Sequence, residues 1–483
     1  MNFFVENKKD ILFYSVLACT YLLLLALVAR NLSLENFWYD ESGQFFISKG
    51  LNHWSRACSP EGGLAEVLYN NAHYNQDPGG YSILLHYWSM VSDNHVWLRL
   101  LSYVFFVGAI LFTILTVSKI LGNKKFGAIG GLLVFPLLAG SQAYELRAYG
   151  MELCGVVFGL WLIFYLRDRV TYRRLLIGSV VLALFITSRY TMLMIAFVYT
   201  CFILADIWKT ETSASVRFRQ MLVFSVPLVV TVLSVYFLAM RIQNSTLRSF
   251  SYITYLETHM RALLFWLVTV GLILTWKWQT GNVRVLLKVF VAVNVLFLFL
   301  GWVGMLPWNI SGMKGGPFLL LFYISVYCSM LAILLHIKIS TYTYWVVFCG
   351  CVLLITGVRQ VFGIANVGSG YREDTVSVLR DLGSLDKDVP VYLGRWLSPD
   401  VRFIYEYGCL RDSAAIVGYP DRFIQLPAGD HTGMLKKLDY KQEHVSILEN
   451  ASKGSICIAD STSPLDTIPP CFVNLKKNIY IKI

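Results

Sequence analysis

Long apolar runs separated by short polar loops dominate the hydropathy pattern of this 483-residue chain. A helix needs about 20 apolar residues to cross the hydrocarbon core of a bilayer. Such runs, of which the fifth is short, occur at 11–29, 97–117, 126–143, 149–166, 175–187, 190–207, 221–240, 261–276, 289–306, 318–336 and 345–362. The first run ends in Arg30-Asn31-Leu32 rather than in a small-residue cleavage site, so it is predicted to remain as a span. The pattern predicts an all-α polytopic membrane protein with about eleven transmembrane helices.

Lys and Arg are distributed unequally over the loops between these runs. With a cytoplasmic N-terminus, the inside segments hold 16 Lys and Arg in 59 residues, and the outside loops hold 9 in 108. Cytoplasmic loops of membrane proteins are enriched in these two residues. The pattern therefore predicts a cytoplasmic N-terminus, with a long loop 30–96 and the C-terminal tail outside. Residues 1–362 are predicted to form a transmembrane module that includes this loop, and 363–483 a separate domain.

The tail has the pattern of a folded domain rather than of a linker. Strand-like runs occur at Val389–Leu393, Ala414–Gly418 and Ser455–Ala459, and helix-like segments at Asp374–Leu382 and Asp400–Tyr407. Short apolar strands that alternate with helices are typical of an α/β arrangement. A small α/β domain is therefore predicted outside the membrane.

Composition agrees with a membrane protein and narrows the function. The chain is 56% hydrophobic and 15% charged, whereas a soluble domain is typically about 25% charged. This excludes a disordered, collagenous or ordinary soluble protein. The net charge of +11 falls mostly in short loops rather than in a basic stripe, which argues for positive-inside topology and against nucleic-acid binding.

Two adjacent carboxylates, Asp40 and Glu41, follow the first span within the aromatic segment Phe37–Ser42. A general base needs a carboxylate within hydrogen-bond reach of the attacking hydroxyl, and this pair offers one at the membrane surface. The alternative is structural: Asp40 caps a helix over Ser42–Lys49 that ends at Gly50. The residues alone do not decide between the two.

A second polar segment, 75–81, precedes an amphipathic stretch that runs to about Met90. Asp-Pro is a common helix start, with Asp as the cap and Pro at the first helical position, and this alone explains Asp77. The functional alternative is a helix in the membrane interface that presents Gln76, Asp77 and His86 to a cavity.

Two arginines, Arg147 and Arg189, occupy very short loops predicted to lie outside, against the positive-inside trend. An arginine binds phosphate with a fork of donors, whereas the structural alternative is snorkelling to the lipid headgroups. Together with Lys314 in a Gly-rich outer loop, the two arginines favour an anion site. Glu152 lies within the fourth span, where a charge is costly, so it is expected to pair with one of them, Arg189.

Of the ten cysteines, six lie within predicted spans and four lie outside. An even number in an oxidising compartment permits disulfides. Cys457 and Cys471 are predicted to pair, which leaves Cys58 and Cys409 as a second potential link. No C-x-x-C pair or His/Cys cluster indicates zinc, so no metal site is predicted.

Several segments, in this order, resemble the GT-C superfamily of glycosyltransferases that use lipid-linked sugars. The segments are Asp40-Glu41, Asp77-Pro78-Gly79-Gly80-Tyr81-Ser82-Ile83-Leu84-Leu85-His86, Trp97–Ser102, Gln142–Tyr149, Val389–Gly394 and Val401–Tyr407. In this order, the first four look like the acidic pair of the first outer loop, the Pro-rich entry to an interfacial helix, the start of the second span and an Arg-containing turn. The last two together look like the strand and helix that open the outer domain. The sequence departs from the superfamily at Pro78-Gly79, where two prolines are frequent, and in lacking the recognisable arginine of the later outer loops.

The resemblance implies an inverting glycosyltransferase in a bacterial inner membrane that takes a sugar from a polyprenyl-phosphate donor. Length and layout are most similar to serotype-converting glucosyltransferases, which implies transfer of glucose from undecaprenyl phosphate to an O-antigen or related glycan on the periplasmic side. The implied catalytic residues are Asp40, as base, and Glu41, and the implied phosphate ligands are Arg147, Arg189 and Lys314. The implied substrate-binding residues are Tyr39, Gln76, Asp77, His86, Tyr144 and Glu145. No cofactor is predicted; the superfamily allows a divalent metal, but the sequence shows no ligand set for one.

Two other functions fit a multispan protein that acts on lipid-linked glycans. An O-antigen polymerase or ligase is expected to carry a large outer loop in mid-chain rather than an acidic first loop and a folded tail. A transporter or flippase often has paired repeats and broken helices, and neither is evident in this sequence. Both remain alternatives to the transferase.

Overall fold

The structure is a computed structural model that describes most of the chain. The described residues are 2–34, 37–52, 58–140, 143–211, 213–243, 260–305, 316–336, 375–382, 389–393, 398–408, 410–411, 421–426, 445–458, 468–476 and 479–483. The helices, in chain order, are α1 (Asn2–Ala29), α2 (Tyr39–Ser48), α3 (Leu64–Tyr74), α4 (Gly80–Ser89), α5 (His95–Leu121), α6 (Lys124–Gly130), α7 (Tyr149–Asp168), α8 (Tyr172–Ile186), α9 (Tyr190–Thr210), α10 (Ala214–Val235), α11 (Met260–Leu274), α12 (Gly281–Trp302), α13 (Gly316–His336), α14 (Thr375–Leu382) and α15 (Ser398–Glu406).

Within these described residues, seven helices are long and apolar enough to cross a membrane. They cover Asp10–Ser33, His95–Leu121, Tyr149–Asp168, Tyr190–Thr210, Ala214–Gln243, Gly281–Trp302 and Gly316–His336. Each contains or overlaps one of the predicted apolar runs. The prediction of a multi-pass, largely helical membrane protein is therefore confirmed.

Three other predicted runs form helices that are shorter than a full span. Run 126–143 forms α6 and then a 3₁₀ helix at Gly131–Gly140, whereas runs 175–187 and 261–276 correspond to α8 and α11. The last two helices have 15 residues each, which is about 22 Å at a rise of about 1.5 Å per residue. The hydrocarbon core is about 30 Å thick. The predicted run 345–362 lies outside the described residues.

The chain divides into two compact units that are not continuous in sequence. The first consists of Met1–Leu32, Asn71–Leu84 and Arg99–Val367, and the second of Ser33–Asn70, Leu85–Leu98 and Gly368–Ile483. The second unit thus combines most of the first long loop with the C-terminal region. The sequence-based boundary between 362 and 363 stays a prediction.

A five-stranded sheet forms part of the second unit. Its strands are β1 (Val391–Leu393), β2 (Phe423–Gln425), β3 (Ile456–Ile458), β4 (Phe472–Lys476) and β5 (Ile479–Lys482). The spatial order is β2-β1-β3-β5-β4, with β1 parallel to β2 and β3, and β5 antiparallel to β3 and β4.

This sheet and its helices confirm the predicted α/β character of the tail. The predicted strands Val389–Leu393 and Ser455–Ala459 correspond to β1 and β3, and the predicted helices to α14 and α15. The predicted strand Ala414–Gly418 lies outside the described residues. Strands β2, β4 and β5 were not predicted.

Aromatic packing joins the two parts of the second unit. The Phe403 ring in α15 lies 4.2 Å from the Phe37 ring and 5.0 Å from the Phe45 ring, measured between centroids. The Arg402 guanidinium lies 4.2 Å above the Phe46 ring. These side chains are almost completely buried, so the loop and the C-terminal region share one hydrophobic core.

Candidate active site

The turn between α3 and α4 is fixed by buried amide and hydroxyl groups. Nδ2 of Asn71 donates to the carbonyl oxygen of Asp77 at 2.9 Å. The side-chain oxygen of Asn71 accepts from Ser82 Oγ at 2.7 Å and from Asn75 Nδ2 at 2.9 Å. Asn71 therefore holds both sides of the turn, and Asp77 projects from a fixed backbone.

Two glycines explain why this chain has Pro-Gly-Gly at the entry to α4. Gly79 has φ of +102°, which an L-residue with a side chain rarely adopts. The Gly80 N–H donates to the carbonyl oxygen of Thr187 at 3.0 Å, and a Cβ at Gly80 would lie 1.8 Å from Thr187 Oγ1. The turn thus packs directly against the end of α8, immediately before Arg189.

Four charged side chains meet in the first unit. Nε of Arg189 lies 3.6 Å from Oδ1 of Asp77 and 3.6 Å from Oε2 of Glu152, and Nη2 of Arg147 lies 3.9 Å from Oδ2 of Asp77. Their side chains are between 2% and 16% exposed. We call these four residues the acid–arginine cluster. The predicted pairing of Glu152 with Arg189 is confirmed.

Arg189 contacts an aromatic ring as well as two carboxylates. Its guanidinium lies 4.4 Å above the Tyr149 ring. Burial alone would lower the pKa of Arg189, but the carboxylates of Asp77 and Glu152 raise it above the ordinary value. Thr191 Oγ1 donates a hydrogen bond to Glu152 Oε1. Arg189 therefore remains charged and is fixed between α7 and the start of α9.

Arg147 is positioned through its backbone. Its carbonyl oxygen accepts a hydrogen bond from Ser102 Oγ at 3.3 Å, and the Ser102 hydroxyl lies 2.6 Å from the Tyr81 hydroxyl. Tyr81 belongs to α4 and Ser102 to α5. These contacts set the place of Arg147 relative to the turn that carries Asp77.

Gln243 was missed by the sequence reasoning. It follows the π-helical turn Tyr236–Met240 at the end of α10, and it is 2% exposed. Its Nε2 donates to the carbonyl oxygens of Asn71 at 3.0 Å and Asp77 at 3.3 Å, and its Oε1 accepts from Tyr190 Oη at 2.7 Å. The signal available in the sequence was a glutamine just after the predicted apolar run 221–240.

In the second unit, Asp40 lies in the first turn of α2, which begins at Tyr39 after the N-cap residue Trp38. The structural alternative, in which Asp40 caps a helix over Ser42–Lys49, is therefore wrong. The carboxylate of Glu41 accepts from the Trp38 backbone N–H at 3.4 Å instead. The helix begins earlier than in that alternative, and this contact satisfies the backbone donor of its N-cap residue. Glu41 is fully buried, whereas Asp40 is half-buried.

The expectation that Gly50 ends this helix is confirmed. The helix ends at Ser48, and Gly50 adopts φ of +70°, a conformation that favours glycine after a helix. Nδ1 of His86 lies 2.7 Å from the Ser48 carbonyl oxygen. His86 therefore links α4 to the end of α2.

The remaining predicted site residues differ in exposure. Gln76 is exposed, and its backbone N–H donates to Asn75 Oδ1 at 2.9 Å. Tyr39 is half-buried, and Tyr144 and Glu145 are buried. Lys314 lies outside the described residues.

The four cysteines outside the predicted spans belong to the second unit. Cys471 carries a free thiol, so the predicted Cys457–Cys471 disulfide is wrong. Cys457 lies in β3 and packs in the hydrophobic core of the sheet, with Cys471 against the same core. Cys58 is also a free thiol, and Cys409 lies outside the described residues. Among the residues that the structure describes, no group of three or more His, Cys, Asp or Glu side chains is arranged to hold a metal ion.

Comparison with known proteins identifies the fold. No protein-family model matches the chain, and no curated protein matches it. The chain is similar to the crystal structure of ArnT from Cupriavidus metallidurans in the apo state, with a TM-score of 0.50 and 11% sequence identity. The similarity covers 99% of this chain and 98% of ArnT. ArnT has the GT-C fold, so the chain is a multi-pass membrane protein of the GT-C fold.

Proposed function

We propose that this protein is an inverting glycosyltransferase that moves a sugar from a polyprenyl-phosphate donor to a glycan acceptor. The observation that carries the proposal is the convergence of Arg147 and Arg189 in a chain with the GT-C fold along its full length. The superfamily that the sequence resembles uses lipid-linked sugar donors. A donor of that kind requires cationic groups for its phosphate at the membrane surface.

The two arginines suit a leaving phosphate. In the donor, the bond between the anomeric carbon and the phosphate oxygen breaks, and its electron pair stays on that oxygen. Negative charge therefore grows on the phosphate during transfer. Preorganised cations in a partly buried site stabilise such charge more strongly than they would in water. Arg147 and Arg189, each about one-sixth exposed or less, are held in place before any donor arrives.

Asp40 is the proposed general base. The acceptor hydroxyl oxygen forms a bond to the anomeric carbon while its proton passes to a carboxylate, and one displacement inverts the configuration. Asp40 retains partial exposure, whereas Glu41 is fully buried and bonded to the Trp38 backbone. We therefore assign the proton transfer to Asp40, with Glu41 ordering the helix turn that presents it to the acceptor.

The finer proposal concerns the two substrates. Similarity of length and layout to serotype-converting enzymes supports glucose on undecaprenyl phosphate as the donor and an O-antigen or related surface glycan as the acceptor. Transfer would take place on the periplasmic side of the inner membrane, with the N-terminus in the cytoplasm and the C-terminal region in the periplasm.

Purified membranes that contain the protein and a radiolabelled polyprenyl-phosphate sugar test this function. We expect the label to move onto glycan, and to do so with glucose in preference to aminoarabinose or mannose. The Arg147→Gln variant, which removes a proposed phosphate ligand, should lose most of this transfer. Movement of the labelled lipid across the bilayer without transfer to glycan would instead indicate a flippase and would contradict the proposal.

A further inference from the structure

The acid–arginine cluster contains as many acidic side chains as basic ones. Asp77 and Glu152 supply two carboxylates, and Arg147 and Arg189 supply two guanidinium groups. Three ion pairs link them: Arg147 with Asp77, Arg189 with Asp77, and Arg189 with Glu152. Buried charges need partners, because an uncompensated charge in a low-dielectric site is costly. A phosphate that approaches the two arginines therefore meets two carboxylates that already compensate them.

Of the two carboxylates, that of Asp77 is the one that a phosphate can displace more easily. Glu152 lies in the first turn of α7, is 2% exposed and accepts a hydrogen bond from Thr191. Asp77 lies in a turn, and its Oδ2 atom accepts no hydrogen bond from any residue that the structure describes. The two arginine contacts of the Asp77 carboxylate, at 3.6 and 3.9 Å, exceed hydrogen-bond range.

The backbone of Asp77 stays fixed while its side chain is weakly held. Its carbonyl oxygen accepts from Asn71 Nδ2 at 2.9 Å and from Gln243 Nε2 at 3.3 Å. A rotation about the side-chain bonds can therefore move the carboxylate without moving the turn. Arg147 shares the longest ion pair of the cluster with Asp77, whereas Arg189 also faces Glu152 and stacks on Tyr149.

We propose that Asp77 is a resident counter-ion of Arg147, and that the phosphate of a polyprenyl-phosphate lipid displaces the Asp77 carboxylate when it binds. This inference rests on the proposed function, because it specifies how the same site accepts its donor. Asp77 acts here as a positioning residue. Its ion pair with Arg147 keeps the guanidinium in place before binding and forms again when the lipid phosphate leaves. Arg147 is then the exchangeable phosphate ligand, and Arg189 holds the outer ends of α7 and α9 together.

Direct binding of undecaprenyl phosphate to the full-length protein in detergent tests the exchange. Microscale thermophoresis measures Kd, and undecaprenol without the phosphate reports binding of the lipid tail alone. Asp77→Asn removes the competing charge, so we expect it to bind undecaprenyl phosphate about fivefold or more tightly than wild type, as for a modest coupling between two sites. Asp206→Asn is the matched control, because Asp206 also pairs with an arginine of the first unit, Arg167, at 2.8 Å. Its Kd should equal that of wild type.

Two further variants keep the test decisive if Asp77→Asn fails to fold. Asp77→Glu retains the charge but carries the carboxylate one methylene further towards Arg147, so we expect weaker binding of undecaprenyl phosphate. In an Arg147→Gln background, the gain from Asp77→Asn should vanish, since a double-mutant cycle isolates the shared contact. Equal or weaker binding by a folded Asp77→Asn protein, or equal or tighter binding by Asp77→Glu, would overturn the inference.

The same titration separates this inference from the function on which it rests. If wild type binds undecaprenyl phosphate better than undecaprenol and transfers sugar, but Asp77→Asn does not tighten binding, only the displacement of Asp77 is wrong. If wild type binds the phosphate lipid no better than undecaprenol, both the inference and the proposed function are contradicted.

Discussion

Nε of Arg189 lies 3.6 Å from Oε2 of Glu152, and this ion pair links the residue before α9 to the first turn of α7. Both helices are long and apolar enough to span a membrane. A carboxylate inside a span is expensive unless it is paired. The pair therefore ties two spans together at one end, beside the turn that carries Asp77.

Glu152→Gln should destabilise the protein strongly. The substitution preserves size but leaves Arg189 with less negative charge around it, and breaking a buried pair by removing one partner costs about 3 kcal/mol or more. Thermal unfolding in detergent measures the loss. Asp206→Asn is the comparison, because its partly exposed pair with Arg167 should contribute about 1 kcal/mol at most. Equal melting temperatures for the two variants would show that the Glu152–Arg189 pair does not hold the spans together.

Gly80→Ala should disrupt the turn before α4. The new Cβ would lie 1.8 Å from Oγ1 and 2.4 Å from Cβ of Thr187, so the turn and the end of α8 must move apart. We expect a lower melting temperature, because the close packing of the turn against the end of α8 is lost. Gly271→Ala is the control, since a Cβ there contacts nothing within 4 Å and alanine favours a helix interior by about 1 kcal/mol. A Gly80→Ala protein as stable as Gly271→Ala would refute the close packing.

Phe403→Ala should weaken the second unit. The Phe403 ring packs against the Phe37 and Phe45 rings at 4.2 and 5.0 Å, and truncation of a buried phenylalanine costs about 3–5 kcal/mol. We expect faster digestion of the C-terminal region by a protease in detergent solution. Val473→Ala, which truncates a side chain that is 45% exposed, should digest at the wild-type rate. Equal digestion rates for the two variants would mean that the loop and the C-terminal region do not depend on this contact.

Orientation in the membrane is a separate prediction from the Lys and Arg pattern. A reporter that is active only outside the cytoplasm should work when fused after Gly368 and fail when fused after Arg173. The prediction rests on the excess of Lys and Arg in the loops predicted to lie inside. The opposite reporter pattern would reverse the topology and move the proposed site to the cytoplasmic side.

The sequence predicted the features that depend on local pattern or on the cost of burying charge. Apolar runs located the long helices because crossing a membrane demands length and hydrophobicity. The Glu152–Arg189 pair followed from the same cost, since an acid in a span needs a nearby cation. The structure confirms both.

The features that the sequence did not predict depend on long-range packing or on small shifts at element ends. The contacts of Gln243 with Asn71 and Asp77 join segments far apart in the chain, and no local pattern encodes them. The start of α2 involves a contact between the Glu41 carboxylate and the Trp38 backbone N–H, and the sequence analysis placed the cap at Asp40. Asp77 was expected as a helix cap or a substrate ligand, and its pairing with two arginines was not foreseen.

The most direct test of the proposed glycosyltransferase is transfer of labelled sugar by the Asp40→Asn variant at a matched protein level in the membrane. Asp40 is not the cap of α2, so asparagine should leave the fold intact apart from a small loss of favourable charge at the helix start, about 0.3–1 kcal/mol. Loss of a general base lowers the rate about 10²–10⁴-fold. We therefore predict a protein that melts close to the wild-type temperature, binds undecaprenyl phosphate normally and transfers sugar at least about a hundredfold more slowly. Transfer at a near-normal rate by the folded variant would contradict the account, because it would remove Asp40 from the chemistry.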